Sequence, residues 1–388
     1  MRVCGVICEY NPLHRGHEKQ LRQIRARLGE DAAVVCLMSG NFVQRGEPAV
    51  FDKRVRAQAA VLSGADLVLE LPVTKALSSA EGFARGGVEI LTKLGCVDTL
   101  AFGCESGDGA AISDAAQAMC EADYDAALRQ ILSGGVSYPA ARQQALRRVG
   151  LDGSVLEKPN DILALEYCKA ILQMKSTLRP LALLREGAYH AQTADPDNPS
   201  ATSLRVRLQN GETIAPFVPA AAMEAYCGAP SYDLLSGERG MLAGLRALSD
   251  AAWSRTAHGS EGLWSKAMKA AREEGSLEAV IAQIKSKRYP RTRIQRLLLC
   301  AFLGISQDML SRPVSYARAL AFDETGKKLL RRMRAEGTLP VINAGQTPQD
   351  AAFYELELRA GRLFPLFGRG DFVRSGNAER DCRIFLKK

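Results

Sequence analysis

Two histidines near the start of the chain are the residues best placed to do chemistry. His14 and His17 are two of only four histidines in 388 residues, and they flank Gly16 just after the turn signal Asn11-Pro12. Their spacing places both imidazoles on one face, in the first turn of a helix predicted to begin near residue 14. Because a helix N-terminus offers unpaired N–H groups and partial positive charge, two added imidazole donors would bind phosphate oxygens there. Gly16 lacks a Cβ and would let a flat ring or a ribose approach the backbone. The residues therefore predict phosphoryl chemistry, although a structural role for the histidines stays open.

The elements that position this pair alternate between strands and helices. Short apolar runs predict strands at residues 2–9, 32–38, 66–71 and 98–103. Helical spacing lies between them, at residues 15–28, 52–63 and 80–94. Such alternation predicts an α/β fold with a doubly wound parallel sheet, whose ligands bind beyond the carboxyl ends of the strands. A late strand is expected at residues 179–185 and a hydroxyl-capped helix at 200–208.

The loop after the second predicted strand is expected to touch a substrate. Its sequence, "SGNFVQRGEP" at residues 39–48, carries four polar candidates, Ser39, Asn41, Gln44 and Arg45. Loops at this end of a parallel sheet usually build the site, which favours a ligand contact. A capped surface turn is the alternative.

Positive charge is concentrated in the second part of the chain. The formal net charge is +8, but residues 231–388 contain 27 basic and 17 acidic residues, a net of +10, so residues 1–230 carry −2. The densest run is "KSKRYPRTRIQR" at 285–296, here called the basic segment; its candidate RNA-binding residues are Lys285, Lys287, Arg288, Tyr289, Arg291, Arg293 and Arg296. Clustered cations bind phosphates and Tyr289 could stack on an unpaired base, whereas the alternative is a solvated helix face. A second basic cluster comprises Lys327, Lys328, Arg331, Arg332 and Arg334.

Composition narrows the class of protein. The ten cysteines form no Cys-x-x-Cys pair, and several lie in apolar runs, which is typical of reduced core thiols rather than of disulfides or zinc sites. No signal segment and no apolar run long enough for a membrane span is recognisable. We therefore expect a cytoplasmic protein with no membrane contact, and nothing implies a stable protein partner.

Several sequence blocks resemble a known family. His14-Arg15-Gly16-His17 resembles the nucleotide-binding signature of the nucleotidyltransferase and class I aminoacyl-tRNA synthetase superfamily, and "SATSLR", residues 200–205, looks like its second, phosphate-holding signature. Longer blocks are similar to the tRNA(Met) cytidine acetate ligase family: "GVICEYNPLHRGH", "MSGNFVQRGEPAVFDKRVRAQAAVLSGADLVLELP", "FGCES", "KPNDILALEY" and "KSKRYPRTRIQRLLL". Their order covers most of the chain.

The resemblance implies a fold, a reaction and partners. The proline-containing stretch at residues 215–230 is predicted to hold a domain boundary. Residues 1–225 would then form a HUP/Rossmann-like, nucleotidyltransferase-type catalytic domain that binds ATP, and residues 226–388 a basic, mainly helical tRNA-binding domain. The enzyme would convert ATP and acetate into acetyl-adenylate. It would then acetylate N4 of the wobble cytidine of elongator tRNA(Met), forming N4-acetylcytidine.

The resemblance also implies roles for individual residues. The catalytic residues would be His14, His17 and Arg205. The ATP-binding residues would be Ile7, Cys8, Glu9, Tyr10, Asn11, Pro12, Leu13, His14, Arg15, Gly16, His17, Glu18, Lys19, Gln20, Gly103, Asn160, Arg185, Glu186, Ser200 and Thr202. Mg²⁺ would be carried mainly by the nucleotide phosphates, so no protein ligand for a metal is assigned.

Two other functions compete with this interpretation. An adenylyltransferase acting on a small phosphorylated acceptor would explain both signatures but not the basic second part. A non-catalytic RNA-binding module would explain the charge but not the signatures. Acetate-dependent release of pyrophosphate would distinguish the ligase from the adenylyltransferase. Any ATP turnover would exclude the non-catalytic module.

Overall fold

The structure is a computed structural model that describes residues 1–185, 195, 199–343, 346–370, 376 and 384–387. Its strands are β1 (Val3–Cys8), β2 (Ala33–Ser39), β3 (Phe42–Val43), β4 (Glu47–Pro48), β5 (Leu67–Leu71), β6 (Thr99–Cys104), β7 (Arg179–Leu184), β8 (Ala317–Phe322), β9 (Val341–Ile342) and β10 (Phe385–Leu386). The predicted strands at the start of the chain are therefore present, each within a few residues of its predicted bounds.

One sheet organises the molecule. Its order is β10-β8-β5-β2-β1-β6-β7, with β9 beside β8, and the strands from β5 to β7 run parallel. The predicted α/β class and parallel sheet are confirmed. Strand β8 pairs antiparallel with β5, so the sheet is mixed at this edge. The run at 317–322 is apolar enough for a buried strand, yet the sequence analysis placed it in a mainly helical region. The division at residues 225 and 226 stays a prediction, and the sheet extends across it.

Helices cover both faces of the sheet and continue through the second part of the chain. They are α1 (Arg15–Leu28), α2 (Lys53–Leu62), α3 (Val73–Ala76), α4 (Ala80–Lys93), α5 (Gly109–Ala118), α6 (Ala122–Ser133), α7 (Tyr138–Arg148), α8 (Pro159–Gln173), α9 (Ala201–Gln209), α10 (Ala220–Tyr226), α11 (Glu238–Ala247), α12 (Asp250–Arg255), α13 (Leu263–Glu273), α14 (Leu277–Ile284), α15 (Arg291–Leu303), α16 (Gln307–Ser311), α17 (Glu324–Glu336) and α18 (Ala351–Leu363).

Strand alternation explains why there is a core on each face. Along β1 and β2, Val3 and Val35 pack toward α4 and α8, whereas Cys4 and Val34 pack toward α1, α2 and α10. Successive strand residues point to opposite faces, so continuous apolar runs suit a sheet covered on both sides. A third apolar cluster, around the fully buried Trp253, joins helices α11 to α15 with α18.

Two further features are the lengths of the helices and the state of the cysteines. None of the helices in the described part of the chain is both long and apolar enough to cross a bilayer. The cysteines that the structure describes are all free thiols, and most of them are buried.

Candidate active site

One cleft lies at the carboxyl ends of β1, β6 and β7, between the N-termini of α1 and α9 and the hairpin of β3 and β4. Of the predicted residues, it is lined by Ile7, Cys8, Glu9, Tyr10, Asn11, His14, Gly16, His17, Lys19, Gln20, Gln44, Arg45, Gly103, Asn160, Arg185, Thr202 and Arg205. Residues that are far apart in the sequence thus meet where an open parallel sheet is expected to bind its ligand.

The two histidines form the cap of helix α1. The backbone N–H of Gly16 donates to Nδ1 of His14 at 3.2 Å, and the backbone N–H of His14 donates to Nδ1 of His17 at 3.2 Å. The imidazole rings stack with their centroids 3.8 Å apart. Because each Nδ1 accepts a hydrogen bond, a neutral ring must carry its proton on Nε2. The cap therefore leaves both histidines as Nε2–H donors at the start of the helix.

Burial keeps these rings neutral. It lowers the pKa of His14 to about 3, helped by the nearby Arg185 guanidinium. It also lowers the pKa of His17 well below its usual value, with His14 and Arg185 adding to the effect. Nε2 of His14 is buried and has no hydrogen-bond partner among the described residues. A buried donor without a partner is costly, and an anionic ligand oxygen would satisfy it.

Gly16 has a local reason to be glycine. A Cβ at this position would lie 3.0 and 3.1 Å from two ring atoms of His14. The space predicted for a ligand ring is thus occupied by the ring of the neighbouring histidine. The absence of a side chain at Gly16 lets His14 fold back over the first turn.

The second signature approaches the same cleft from helix α9. Ser200 caps this helix by accepting the backbone N–H of Ser203 at 3.0 Å. Arg205 donates from Nη1 to the carbonyl of Asn11 at 2.9 Å and from Nη2 to Oγ1 of Thr202 at 3.3 Å. The guanidinium therefore joins the N-terminus of α9 to the loop that precedes α1.

Asn160 is held in the cleft by a carboxylate. Its Nδ2 donates to Oε1 of Glu105 at 2.7 Å, and its backbone N–H donates to the same oxygen at 3.1 Å. Asp161 in turn accepts the backbone N–H of Glu105 at 2.6 Å. Gly103 lies nearby, where a Cβ would only reach ordinary contact with Arg185 at 3.8 Å. Glu105 thus orients the side-chain amide of Asn160.

The predicted substrate loop divides into two pairs. Gln44 and Arg45 line the cleft, whereas Ser39 and Asn41 are buried outside its lining. Oδ1 of Asn41 accepts the backbone N–H of Lys53, the first residue of α2, at 2.8 Å. The carbonyl of Ser39 accepts a hydrogen bond from the buried Arg56 at 3.1 Å. The fold therefore uses the second pair to shape the loop.

The other predicted ATP-binding residues lie beside the cleft rather than in it. Pro12, Leu13, Arg15, Glu18 and Ser200 do not line it, and Glu186 lies outside the described residues. Sequence reasoning missed an apolar wall formed by Phe83, Phe102, Leu163, Tyr167 and Leu183. Their apolar spacing gave only a core signal, because it does not distinguish a side chain that faces a cleft from one that faces the interior.

The basic segment is only partly helical. Residues 285–290 connect α14 to α15, and Lys285, Lys287 and Arg288 are exposed there. Tyr289 is 4% exposed and its hydroxyl donates to the carbonyl of Glu261 at 3.0 Å, so its ring is no open stacking surface. Arg293 and Lys266 lie over that ring.

The arginines of the basic segment have partners within the protein. Arg291 forms two hydrogen bonds with the carboxylate of Glu278, at 2.7 and 2.6 Å. Arg288 and Arg293 both pair with Glu261, at 3.1 and 3.4 Å. Arg296 points inward, and its Nη1 donates to the carbonyl of Gln44 at 3.3 Å. Burial lowers the pKa of Arg296 to about 10. Arg296 thus contacts the cleft loop rather than solvent.

The fold and the cleft together define a class of protein. A parallel sheet with a His-x-Gly-His helix start at its carboxyl edge, and a second Ser/Thr-rich helix start opposite, is the arrangement of a nucleotidyltransferase-type enzyme. The family model described as HIGH Nucleotidyl Transferase matches residues 1–377.

Comparisons with individual proteins narrow this class. The tRNA(Met) cytidine acetate ligase of Acetivibrio thermocellus is 35% identical over 370 residues, 88% of each chain, and that of Clostridium novyi is 34% identical over 88% of this chain and 89% of its own. Solved structures of Thermotoga maritima TmcAL match this protein over the full length of both chains. Its apo form has a TM-score of 0.92 at 30% identity, and its form bound with alpha-thio ATP has a TM-score of 0.89 at 29% identity. The chain belongs to the tRNA(Met) cytidine acetate ligase family of HIGH nucleotidyl transferases. It is therefore an enzyme, and its class is ligase.

Proposed function

We propose that this enzyme uses ATP to activate acetate as acetyl-adenylate and then acetylates N4 of the wobble cytidine of elongator tRNA(Met). One observation carries the proposal: two neutral imidazoles, fixed as Nε2–H donors by the helix cap, face the same cleft as Arg205. Three donors on one cleft suit the oxygens of a triphosphate. The names of the relatives indicate that the acceptor is a cytidine of tRNA(Met) and that the acid is acetate.

The first step is an in-line displacement at phosphorus. An acetate oxygen attacks the α-phosphorus of ATP, and the bond to pyrophosphate breaks. Charge accumulates on oxygens near the imidazole donors, the N-terminus of α1 and Arg205. These donors are held by backbone hydrogen bonds before the substrate arrives, so little reorganisation is needed. The apolar wall of Phe83, Phe102 and Tyr167 would receive the base of the nucleotide.

The second step brings the RNA to the acyl group. Lys285, Lys287 and Arg288 are exposed beside α15, and Arg296 of that helix contacts the cleft loop through Gln44. An RNA held on the exposed cations would therefore lie next to the loop that borders the cleft. The three arginines that pair with carboxylates, Arg288, Arg291 and Arg293, would exchange these partners for phosphates.

Magnesium is proposed to arrive with the nucleotide. Among the described residues, no group of three histidine, cysteine or acidic side chains is placed to hold a metal ion. Mg²⁺ retains several waters and binds largely through substrate phosphates in nucleotide sites, so a dedicated protein site is not required. The ion would supply charge neutralisation on the β- and γ-phosphates.

The test is chemical analysis of the RNA product. The protein is incubated with ATP, isotopically labelled acetate and unmodified elongator tRNA(Met), and the nucleosides are then analysed by mass spectrometry. We expect label in N4-acetylcytidine at the wobble position, with AMP and pyrophosphate released. Pyrophosphate release that does not depend on acetate would contradict the proposal, as would label in another nucleoside. A transcript with uridine at the wobble position is the matched control.

A further inference from the structure

Acetyl transfer to cytidine needs a group that removes a proton. The exocyclic amine of cytosine is a weak nucleophile because its lone pair is delocalised into the ring. When it attacks the acyl carbon, a C–N bond forms, the C–O bond to AMP breaks, and the nitrogen must lose a proton. A positioned general base typically contributes about 10²–10⁴-fold to such a step.

The two histidines are poorly suited to this role. Each Nδ1 already accepts a backbone hydrogen bond, and each Nε2 carries the remaining proton. A neutral imidazole in this tautomer donates and has no free acceptor atom. The remaining carboxylates and imidazoles that line the cleft, within the described part of the chain, are Glu9 and Glu47.

Glu9 and Glu47 differ in where they lie and in what holds them. Oε1 of Glu47 accepts Nε2 of Gln295 at 3.0 Å, so this carboxylate faces helix α15. Glu9 directly follows β1, and its Oε1 accepts the backbone N–H of Gln44 at 2.7 Å. Its other oxygen, Oε2, has no hydrogen-bond partner among the described residues. Glu9 therefore lies between the phosphate end of the cleft and the loop that faces the basic segment.

We infer that Glu9 is the proton acceptor of the second step and takes the proton that the cytidine amine loses as it attacks the acyl group. This inference rests on the proposed function. Gln44 fixes one oxygen of the carboxylate and leaves the second to receive the proton. Arg296 has a positioning role, because it holds the carbonyl of the same Gln44 whose N–H holds Glu9.

The electrostatic surroundings agree with this role. Burial raises the pKa of Glu9 above its ordinary value of 4.5, opposed by the backbone N–H of Gln44 and by the guanidinium groups of Arg205, Arg56 and Arg45. A carboxylate is a more effective base when its pKa lies closer to the working pH. Since a raised pKa means that protonation begins at a higher pH, acetyl transfer should fall on the acid side earlier than it would with an ordinary carboxylate.

The experiment separates the two half-reactions in the full-length enzyme. Acetate-dependent ATP–pyrophosphate exchange reports adenylate formation, and single-turnover transfer of labelled acetyl to tRNA reports the second step, both measured from pH 5 to 9. Glu9→Gln keeps a carbonyl oxygen for the N–H of Gln44 but removes the base. We expect its transfer rate to fall by about 10²–10⁴, well beyond any fall in exchange, and the acid limb of transfer to disappear. Glu47→Gln is the matched control and should keep the acid limb.

Each other outcome is decisive. A Glu9→Gln enzyme that keeps the acid limb overturns the inference, as does an equal fall in both half-reactions or a limb lost in Glu47→Gln instead. If thermal unfolding shows that Glu9→Gln does not fold, Glu9→Asp replaces it and should transfer slowly with the acid limb retained; loss of that limb contradicts the inference. A wild-type enzyme without acetate-dependent exchange overturns the proposed function, and this inference with it. Normal exchange in the wild type with unimpaired transfer in Glu9→Gln overturns this inference alone.

Discussion

The first turn of α1 and the basic segment both consist of closely spaced ionisable residues, yet the fold uses the two runs differently. At the start of α1, His14 and His17 face the same cleft, and their Nδ1 atoms are held by the backbone of that same turn. In the basic segment the side chains diverge. Tyr289 is buried, Arg296 reaches inward to Gln44, and Lys285 and Lys287 face solvent.

The difference teaches how far local spacing determines a site. A helix cap is made by residues within one turn, so the spacing of its members settles their geometry. A binding surface depends on which direction each side chain faces after the helix has packed. In the basic segment that direction is set by Glu278 of α14, by Glu261 and by the cleft loop, all of which lie outside the segment.

Of the effects expected in these two regions, the largest concerns the capped histidines. We expect His17→Ala to lower acetate-dependent ATP–pyrophosphate exchange by about 10²–10³, because one preorganised donor to the phosphates is lost. Filter binding of tRNA should change little, since the basic segment is untouched. Arg22→Ala, one turn further on the exposed side of the same helix, is the control. Unchanged exchange in His17→Ala would remove this histidine from the mechanism.

A second prediction concerns the effect of pH on the capped histidines, tested at His14. The unfolded-state pKa of a histidine is about 6.5, and burial lowers the folded-state pKa of His14 to about 3. Stability from the neutral ring is therefore present above pH 6.5 and is lost as the pH falls below it. This loss amounts to about 2 kcal/mol in the free energy of unfolding by pH 5.

The variant that isolates this effect is His14→Asn. Asparagine supplies an acceptor for the helix cap but does not titrate. Urea denaturation at pH 7 and pH 5 should show a smaller loss of stability in the variant than in the wild type. An identical loss in both proteins would place the titration elsewhere in the molecule.

The third prediction tests whether Arg296 belongs with the cleft or with the RNA surface. We expect Arg296→Met to lower the single-turnover rate of acetyl transfer by about tenfold, because the loop at Gln44 loses its hydrogen bond to α15. The dissociation constant for tRNA should stay within about twofold, because this half-buried side chain faces the cleft loop rather than the RNA. Arg288→Met, on the exposed side, should show the reverse pattern. A weakened tRNA affinity with a normal transfer rate in Arg296→Met would instead assign this residue to RNA binding.

The smallest effect is expected at the paired arginines. Replacing both Arg291 and Arg293 with alanine should weaken tRNA binding by several-fold at low salt and reduce its salt dependence by about one phosphate contact each. Part of their charge is already neutralised by Glu278 and Glu261. Glu278→Gln should accordingly strengthen binding by about twofold, because Arg291 becomes available to phosphate. An unchanged salt slope in the double variant would exclude these arginines from the interface.

Much of the fold could be predicted from the sequence because its signals are local. The apolar runs of β1, β2, β5 and β6 and the helical spacing between them indicate a parallel sheet without any knowledge of distant contacts. Strand β8 escaped prediction as part of that sheet, since its apolar run gives no sign of antiparallel pairing with β5. The apolar wall of the cleft was not predicted either, because apolar spacing does not show which side chains face a cleft.

The sequence by itself determined that His14 and His17 lie at the start of a helix, that the cleft lies at the strand ends and that positive charge is in excess in the second part. Each follows from residues adjacent in the chain or from simple sums over it. Only the tertiary structure decided that Tyr289 is covered, that Arg296 holds Gln44 and that the carboxylate of Glu9, at the cleft, accepts the N–H of Gln44. These outcomes depend on packing between segments that lie 28, 252 and 35 residues apart in the sequence, respectively. The energy of burying a charged or aromatic side chain is set by the neighbours that folding brings to it.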